Sequence, residues 1–509
     1  MTEAVEPQIL DMDQVKIDPR WALRIPANLA MRRKLLPFTQ EGDCILVACV
    51  DPHDSQAFQA VERYLDTPVT AILADEASLE RAIARIFREP VHSSIGGAAP
   101  TRVNIENLNN DTDLGGDEIV ALGDEIFNAA LIREATDIHI EPSQKDVVVR
   151  FRVDGMLEEY RRLPDKAHGP LLSRLKVLAG MDIAEKRAPQ DGRLTLGREE
   201  TRLIDVRAAT IPTKQGERMT LRLLASNTRE LTLEKLGMNT EHLECFGENI
   251  TRPNGLVLLT GPTGCGKSTT LYAAIRKIRD RCNDQFDSRL LNIITIEDPV
   301  EYVMDGVSQV EVDTADKVNF HKALRSALRH DPDVLMIGEI RDELTAEIAI
   351  KAALTGHLVF STIHTNSAVS SITRLIDMGV APFLVSAVSR LFVAQRLVRK
   401  ICQHCKKPIQ LTKTQADLFH RPQLEGETIY QPVGCKYCAG TGYVGRTGIF
   451  EVLSVDSEIS QMIANNLTEQ EIQQYLNRCQ FDSLFDDGYA KLKAGLTSFE
   501  EVATVVNVI

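Results

Sequence analysis

GPTGCGKST, residues 261–269, matches the phosphate-loop pattern G-x-x-x-x-G-K-[ST] at Gly261, Gly266, Lys267 and Ser268. The flanks agree with it. Residues 256–259 form a short apolar run after Gly255 and read as a buried strand. Residues 269–277 (TTLYAAIRK) hold good helix formers and no proline. A strand, a glycine-rich turn and a helix N-terminus make an anion site. Backbone N–H groups converge there, and the helix dipole favours phosphate. The loop residues Gly261, Pro262, Thr263, Gly264, Cys265, Gly266, Lys267, Ser268 and Thr269 are therefore expected around ATP. Lys267 would reach the β- and γ-phosphates, and the Ser268 hydroxyl would hold Mg²⁺.

Downstream of the loop, strand and helix alternate. Residues 291–296 (LNIITI), 334–337 (VLMI) and 358–362 read as strands, and 319–330 and 344–354 as helices. That alternation predicts a parallel sheet covered by helices, with ligands at the strand ends. Polar residues gather there: Glu297, Asp298 and Glu301 after one strand, Glu339 after the next, and His357 and His364 on either side of the third. Phosphoryl transfer to water needs a metal clamp and a group that orients the water. One of these acids is expected to position water and another to hold Mg²⁺ through a water ligand, with turn capping as the alternative. Gly338 stands where a Walker B strand usually carries Asp, so Glu339 alone would take that part. The two histidines read either as hydrogen-bonded structural residues or as sensors of the γ-phosphate.

Upstream, residues 1–90 read as a small α/β module for docking or regulation, with strands at 44–50 and 69–73 and helices at 56–64 and 79–86. Residues 91–116, rich in Ser, Gly, Asn and Asp, read as a flexible linker. Residues 117–228 read as an α+β lobe, with a helix at 119–134, strands at 147–153, 203–208 and 218–224, and a polar loop at 187–193. Arg150, Arg152, Arg193, Arg207, Arg218 and Arg222 recur through it. Either they line a solvated sheet face or some of them meet a nucleotide phosphate, which arginine binds bidentately. The P-loop core is expected over 229–395.

Cys402-x-x-Cys405 and Cys435-x-x-Cys438 have the spacing of a closed, structural Zn²⁺ site over 396–446. His404 lies inside one pair and is not needed as a ligand. Residues 447–509 read as a helical tail, with Thr468 and Glu471 as a capping box and Ile472, Leu476, Leu484, Tyr489 and Leu492 suited to pack on the zinc segment.

Composition narrows the class. The 509 residues are too many for one core, and a net charge of −14 argues against a chain-wide nucleic-acid footprint. No apolar run is long enough for a transmembrane helix, and the acidic start carries no apolar leader. The ten cysteines do not suggest a disulfide scaffold, so a cytoplasmic location is expected.

From about residue 117 onward the chain resembles the secretion ATPases of the type II secretion and type IV pilus assembly class, the general secretory pathway protein E family. The matching stretches include ATDIHIEP (135–142), PQDGR (189–193), DVRAATIPTKQGER (205–218), LLTGPTGCGKSTTLYA (258–273), TIEDPVEY (295–302), LRSALRHDPDVLMIGEIRD (324–342) and TGHLVFSTIHTN (355–366). The resemblance implies an α/β multidomain fold with a RecA-like P-loop core. It implies hexameric rings, peripheral on the inner membrane, that hydrolyse ATP in the cytoplasm to drive pseudopilus or pilus assembly. A membrane platform and the cytoplasmic domain of an anchor protein would be partners. Lys267 and Ser268 would be the Walker A ligands, Glu301 the catalytic glutamate and Glu339 the Walker B acid. His357 and His364 would be the histidine-box pair, and Arg193 and Arg207 the arginines that reach the nucleotide. The tetracysteine segment favours assembly over retraction.

Cys265 and Ser268 depart from the family's usual Ser and Thr, and Cys265 raises the question of oxidation sensitivity. Residues 22–88 resemble the second half of the family's amino-terminal domain. The helical first half, which carries much of the cyclic-di-GMP motif in some relatives, is missing, which counts against binding of that nucleotide. A DNA-uptake or conjugation motor is the competing reading, disfavoured by the acidic charge and the lack of a basic, aromatic-interleaved channel. A scaffold that binds ATP without turnover is disfavoured by the intact acids Glu301 and Glu339.

Overall fold

Apolar runs without alternation need cover on both faces, and that requirement organises the larger half of the chain. The computed structural model describes residues 9–87, 116–197, 204–224, 232–281, 291–312 and 320–506. The chain divides into two units. One holds the residues before 227 together with 402–406 and 432–444, and the other holds the rest. The linker expected at 91–116 lies, apart from Gly116, outside the described residues.

In the first unit, Leu35–Glu41, Cys44–Cys49 and Val69–Leu73 form a small sheet. Its first pair is antiparallel and its second parallel. Ser55–Leu65 and Glu76–Phe87 are the expected helices, each with a buried stripe. Among the described residues of the lobe that follows, six strands form an antiparallel sheet. Their order is Met156–Pro164, Asp146–Val153, Asp137–Pro142, Gly216–Leu224, Ile204–Thr213, Gln190–Leu196. Strict alternation sends Ile138, Val149, Phe151, Val206, Met219 and Leu221 to a core shared with Leu122, Phe127 and Leu175 of the helices Gly116–Ile132 and His168–Leu178. The polar loop expected at 187–193 is corrected from Gln190 onward. Gln190–Leu196 is an edge strand paired along Ile204–Thr213, and only its Leu194 and Leu196 are buried. Its polar composition hid it, because an edge strand needs apolar residues on one face only.

In the second unit, seven described strands form one sheet in the order Ser308–Glu311, Ile293–Glu297, Val334–Ile337, Leu358–Ile363, Gly255–Thr260, Ser389–Ile401, Tyr443–Ser454. The first six pair in parallel. Leu256 and Leu258 enter a core with Ala346, Ile350, Val369 and Ile372, while Val257 and Leu259 enter another with Leu271, Tyr272 and Ile275. Both faces of the central strand are thus buried, as its unbroken apolar run required. Two expectations change. Ser389–Ile401 runs straight through the division expected at 395/396. The tail expected to be helical opens with a strand, Tyr443–Ser454, which closes that edge of the sheet. Further on the helices appear, and Thr468 and Glu471 make the expected capping box. Ile472 and Leu476 pack on the sheet core rather than on the cysteine segment. Leu484 and Leu492 pack with Leu411, Phe419 and Ile429, from the stretch between the two cysteine pairs.

Candidate active site

The phosphate loop leaves the C-terminal end of Gly255–Thr260 and enters the helix Lys267–Arg281. Gly261 has φ +145°, and a Cβ there would lie 2.5 Å from the Gln395 carbonyl oxygen, so only glycine fits. Lys267 is buried. Its Nζ donates to the carbonyls of Gly261 at 2.6 Å and Pro262 at 3.1 Å. Burial lowers its pKa, and the nearby Cys265 and Glu339 oppose that shift. Ser268 stands exposed on the first helical turn. Thr270 Oγ1 donates to Gln395 Oε1 at 2.8 Å, tying that turn to the neighbouring strand.

The adjacent strand exits converge on this loop. Thr260 Oγ1 donates to the Thr365 carbonyl at 2.8 Å, which fixes the turn carrying His364. His364 Nε2 lies 3.3 Å from Glu339 Oε2, and Glu339 also pairs with Arg341. Two expected site residues therefore meet directly. Gly338 has a steric reason: a Cβ there would lie 3.2 Å from the Ile296 carbonyl oxygen, so an Asp would crowd the next strand. A pocket of about 400 Å³ opens beside the loop, lined by Gly261, Pro262, His364, Asn366, Arg396 and Thr504. Arg396 is 4% exposed, and its guanidinium donates to the carbonyls of Gln395 at 3.0 Å and Asn366 at 2.9 Å. Burial lowers its pKa. Nothing in the local sequence marked it.

Glu297 and Glu301 have different environments. Glu297 is buried and accepts from Thr295 Oγ1 at 2.6 Å, from Gln309 Nε2 at 3.2 Å and from the Tyr272 hydroxyl. Burial raises its pKa despite these donors. The Tyr272 hydroxyl in turn accepts the Glu301 N–H at 3.2 Å. Tyr272 lies five residues after Lys267 on the same helix, so it links the loop's helix to the backbone of Glu301. Glu301 itself is exposed. A buried acid with three donors suits a positioning part, and an exposed acid at a strand exit suits work on water.

His357 is not brought to this site. It precedes Leu358–Ile363, whereas the loop lies at the C-terminal strand ends, about 20 Å away along six residues of strand. Its Nδ1 donates to the Ala352 carbonyl at 2.8 Å, at the end of the helix Glu343–Leu354. A protonated Nδ1 there satisfies a helix-end carbonyl, which is the structural alternative foreseen for it.

In the first unit, all six arginines fall on one face of the antiparallel sheet. Register places Arg193 opposite Arg207, Arg207 opposite Arg222, Arg222 opposite Asp137, and Asp137 opposite Arg152. Asp137 accepts from Arg222 at 3.0 Å, and Glu141 pairs with Arg150 and Arg218. The register thus sets Arg193, Arg207 and Arg222 side by side, with Arg222 paired to Asp137.

Cys402, Cys405, Cys435 and Cys438 hold their sulfur atoms within 4.8 Å of one another. Separations of 3.8, 3.9 and 3.7 Å match the roughly 3.8 Å expected for sulfurs around tetrahedral zinc with bonds of about 2.3 Å. Gly434 N–H points at Cys405 Sγ, and Cys435 and Gly442 N–H point at Cys438 Sγ. Cys438 is held well below the usual thiol range, first by hydrogen bonding from Cys402 and then by those amides. Four convergent sulfurs with amide donors fit Zn²⁺ and leave no open coordination position.

Residues 113–504 match the family model for type II/IV secretion system protein, and residues 7–93 match that of the MshEN domain. The chain is 40% identical over 494 residues to the type II secretion system ATPase E of Vibrio cholerae serotype O1, covering 95% of this chain and 96% of that protein. It is 38% identical over 504 residues to the type IV pilus assembly ATPase PilB of Myxococcus xanthus, covering 97% and 88%. The solved structure of the pilus retraction motor PilT with bound ADP matches with a TM-score of 0.51 at 28% identity, over 75% of this chain and 96% of that one.

Proposed function

The chain belongs to the type II/IV secretion system protein family, and we propose that it is the hexameric ATPase that powers pseudopilus assembly in type II secretion. It hydrolyses ATP. The observation that carries the site assignment is that four parallel strand exits, bearing Lys267, Glu301, Glu339 and His364, lie at the same end of the sheet as the phosphate loop, with Glu339 and His364 in contact. The loop amides and Lys267 bind the β- and γ-phosphates. The donor set fits Mg²⁺, since the exposed Ser268 hydroxyl lies on the first helical turn and the Glu339 carboxylate stands at the exit of Val334–Ile337, one strand removed from the loop's own. When bound, Mg²⁺ neutralises charge on the β- and γ-oxygens. Glu301 orients water for in-line attack, with its backbone set by Tyr272. His364 holds the Glu339 carboxylate in place. Arg193 and Arg207 are assigned to nucleotide phosphate, which arginine binds bidentately. His357 is assigned no step.

The ring works at the cytoplasmic side of the inner membrane, bound peripherally to a secretion platform. Among the described residues no helix is long and apolar enough to cross a membrane. The amino-terminal module is assigned to the cytoplasmic domain of an anchor protein. The likeness to a type IV pilus assembly ATPase over nearly the whole chain supports pilus extension as a second reading.

ATPase turnover against protein concentration, with mass by size exclusion in parallel, tests the proposal. Turnover should rise with a hexamer-sized species and vanish in Glu301→Gln and Lys267→Ala. Normal turnover in Lys267→Ala would sink the site assignment, and full activity as a monomer would sink the ring.

A further inference from the structure

The cysteine cluster takes no part in the chemistry above, yet it does more than close a loop. Tyr437 sits between two of its cysteines, on the turn Lys436–Cys438. The Tyr437 carbonyl accepts the Lys16 N–H at 2.8 Å. Its ring stacks on fully buried Phe38 of Leu35–Glu41, with centroids 6.3 Å apart and planes 10° apart. It thereby joins the apolar core of the amino-terminal module. Lys436 pairs with Glu41 at 2.8 Å. His404, from the other cysteine pair, packs on the same Tyr437 ring at 4.4 Å. Both C-x-x-C pairs therefore shape one contact, and all of it lies within the first unit.

A metal-free cluster has little to hold it in this form. Neutral thiols are weak donors and acceptors, and thiolates repel one another. Metal binding supplies the ordering free energy in such sites. We infer that Zn²⁺ in the cysteine cluster controls docking of the amino-terminal module. Loading holds the Lys436–Cys438 turn in the shape that Lys16, Phe38 and Glu41 accept, and loss of the metal frees the module. The inference does not depend on the assignment of the ATPase residues.

Hydrogen exchange on the full chain tests it, comparing zinc-loaded protein, chelator-treated protein and zinc-loaded Tyr437→Ala, with zinc content measured for each. Chelation should speed exchange roughly tenfold or more in peptides covering residues 10–20 and 35–41, the scale of one lost hydrogen bond plus one aromatic pair. Tyr437→Ala should keep its zinc and show the same local loss of protection. Unchanged exchange in those peptides after chelation would overturn the proposal. So would Tyr437→Ala behaving like wild type, or a chain that takes up no zinc. Protection lost equally in Gly255–Thr260 would also overturn it, because the metal would then be a general requirement for folding.

Discussion

Tyr272 is the residue on which the site's geometry turns. Its hydroxyl is bonded both to the buried Glu297 and to the Glu301 backbone. Tyr272→Phe removes both bonds at once and leaves the ring in place. We expect kcat to fall roughly tenfold with KM for ATP unchanged, because the loop and Lys267 still bind phosphate. A purely structural role would lower thermal stability and leave kcat of the folded enzyme intact. Cys265 answers the question its sequence position raised. It is buried, and desolvation raises its thiol pKa above the ordinary value even though Lys267 and Arg396 pull the other way. The reactive thiolate is therefore scarce at neutral pH. Iodoacetamide should modify the exposed Cys479 and leave Cys265 untouched, as read by peptide mass spectrometry. Rapid labelling of Cys265, with loss of activity, would contradict this.

At the level of elements, the antiparallel sheet of the first unit sets Arg207 between Arg193 and Arg222 in the cross-strand register. Arg207→Leu should reduce ATPase turnover while leaving urea unfolding of the nucleotide-free chain within about 0.5 kcal/mol of wild type, the range of a surface substitution. A variant with full turnover would show that the row is only a solvated face. The parallel sheet was the easier one to read. Its strands were legible because residues such as those of Gly255–Thr260 and Leu358–Ile363 are buried on both faces and therefore unbroken in hydrophobicity. Asp137–Pro142 and Met156–Pro164 carried no clear apolar alternation, because half their residues are polar, although both pair with Asp146–Val153 across short turns.

For the whole molecule, the proposed ring would make subunits depend on one another. Mixing Glu301→Gln subunits into wild-type rings should lower turnover more steeply than in proportion to the fraction added. A strictly linear decline would mean that subunits fire independently.

By itself the sequence determined that this chain binds and hydrolyses ATP, where the phosphate loop lies, and that four cysteines gather at a metal-like site. Those signals are local: a nine-residue loop, short strand exits and paired C-x-x-C spacings carry their chemistry within a few residues. Tertiary structure decided the rest. It joined His364 to Glu339 and put His357 at the opposite end of the same strand. It separated buried Glu297 from exposed Glu301 in one short acidic run. It brought Arg396 to the loop from a strand more than 120 residues later, and it set Tyr437 of the cysteine turn against Phe38. Such outcomes depend on strand order, on burial and on which end of a strand a residue occupies. These are properties of long-range packing that residue spacing does not encode.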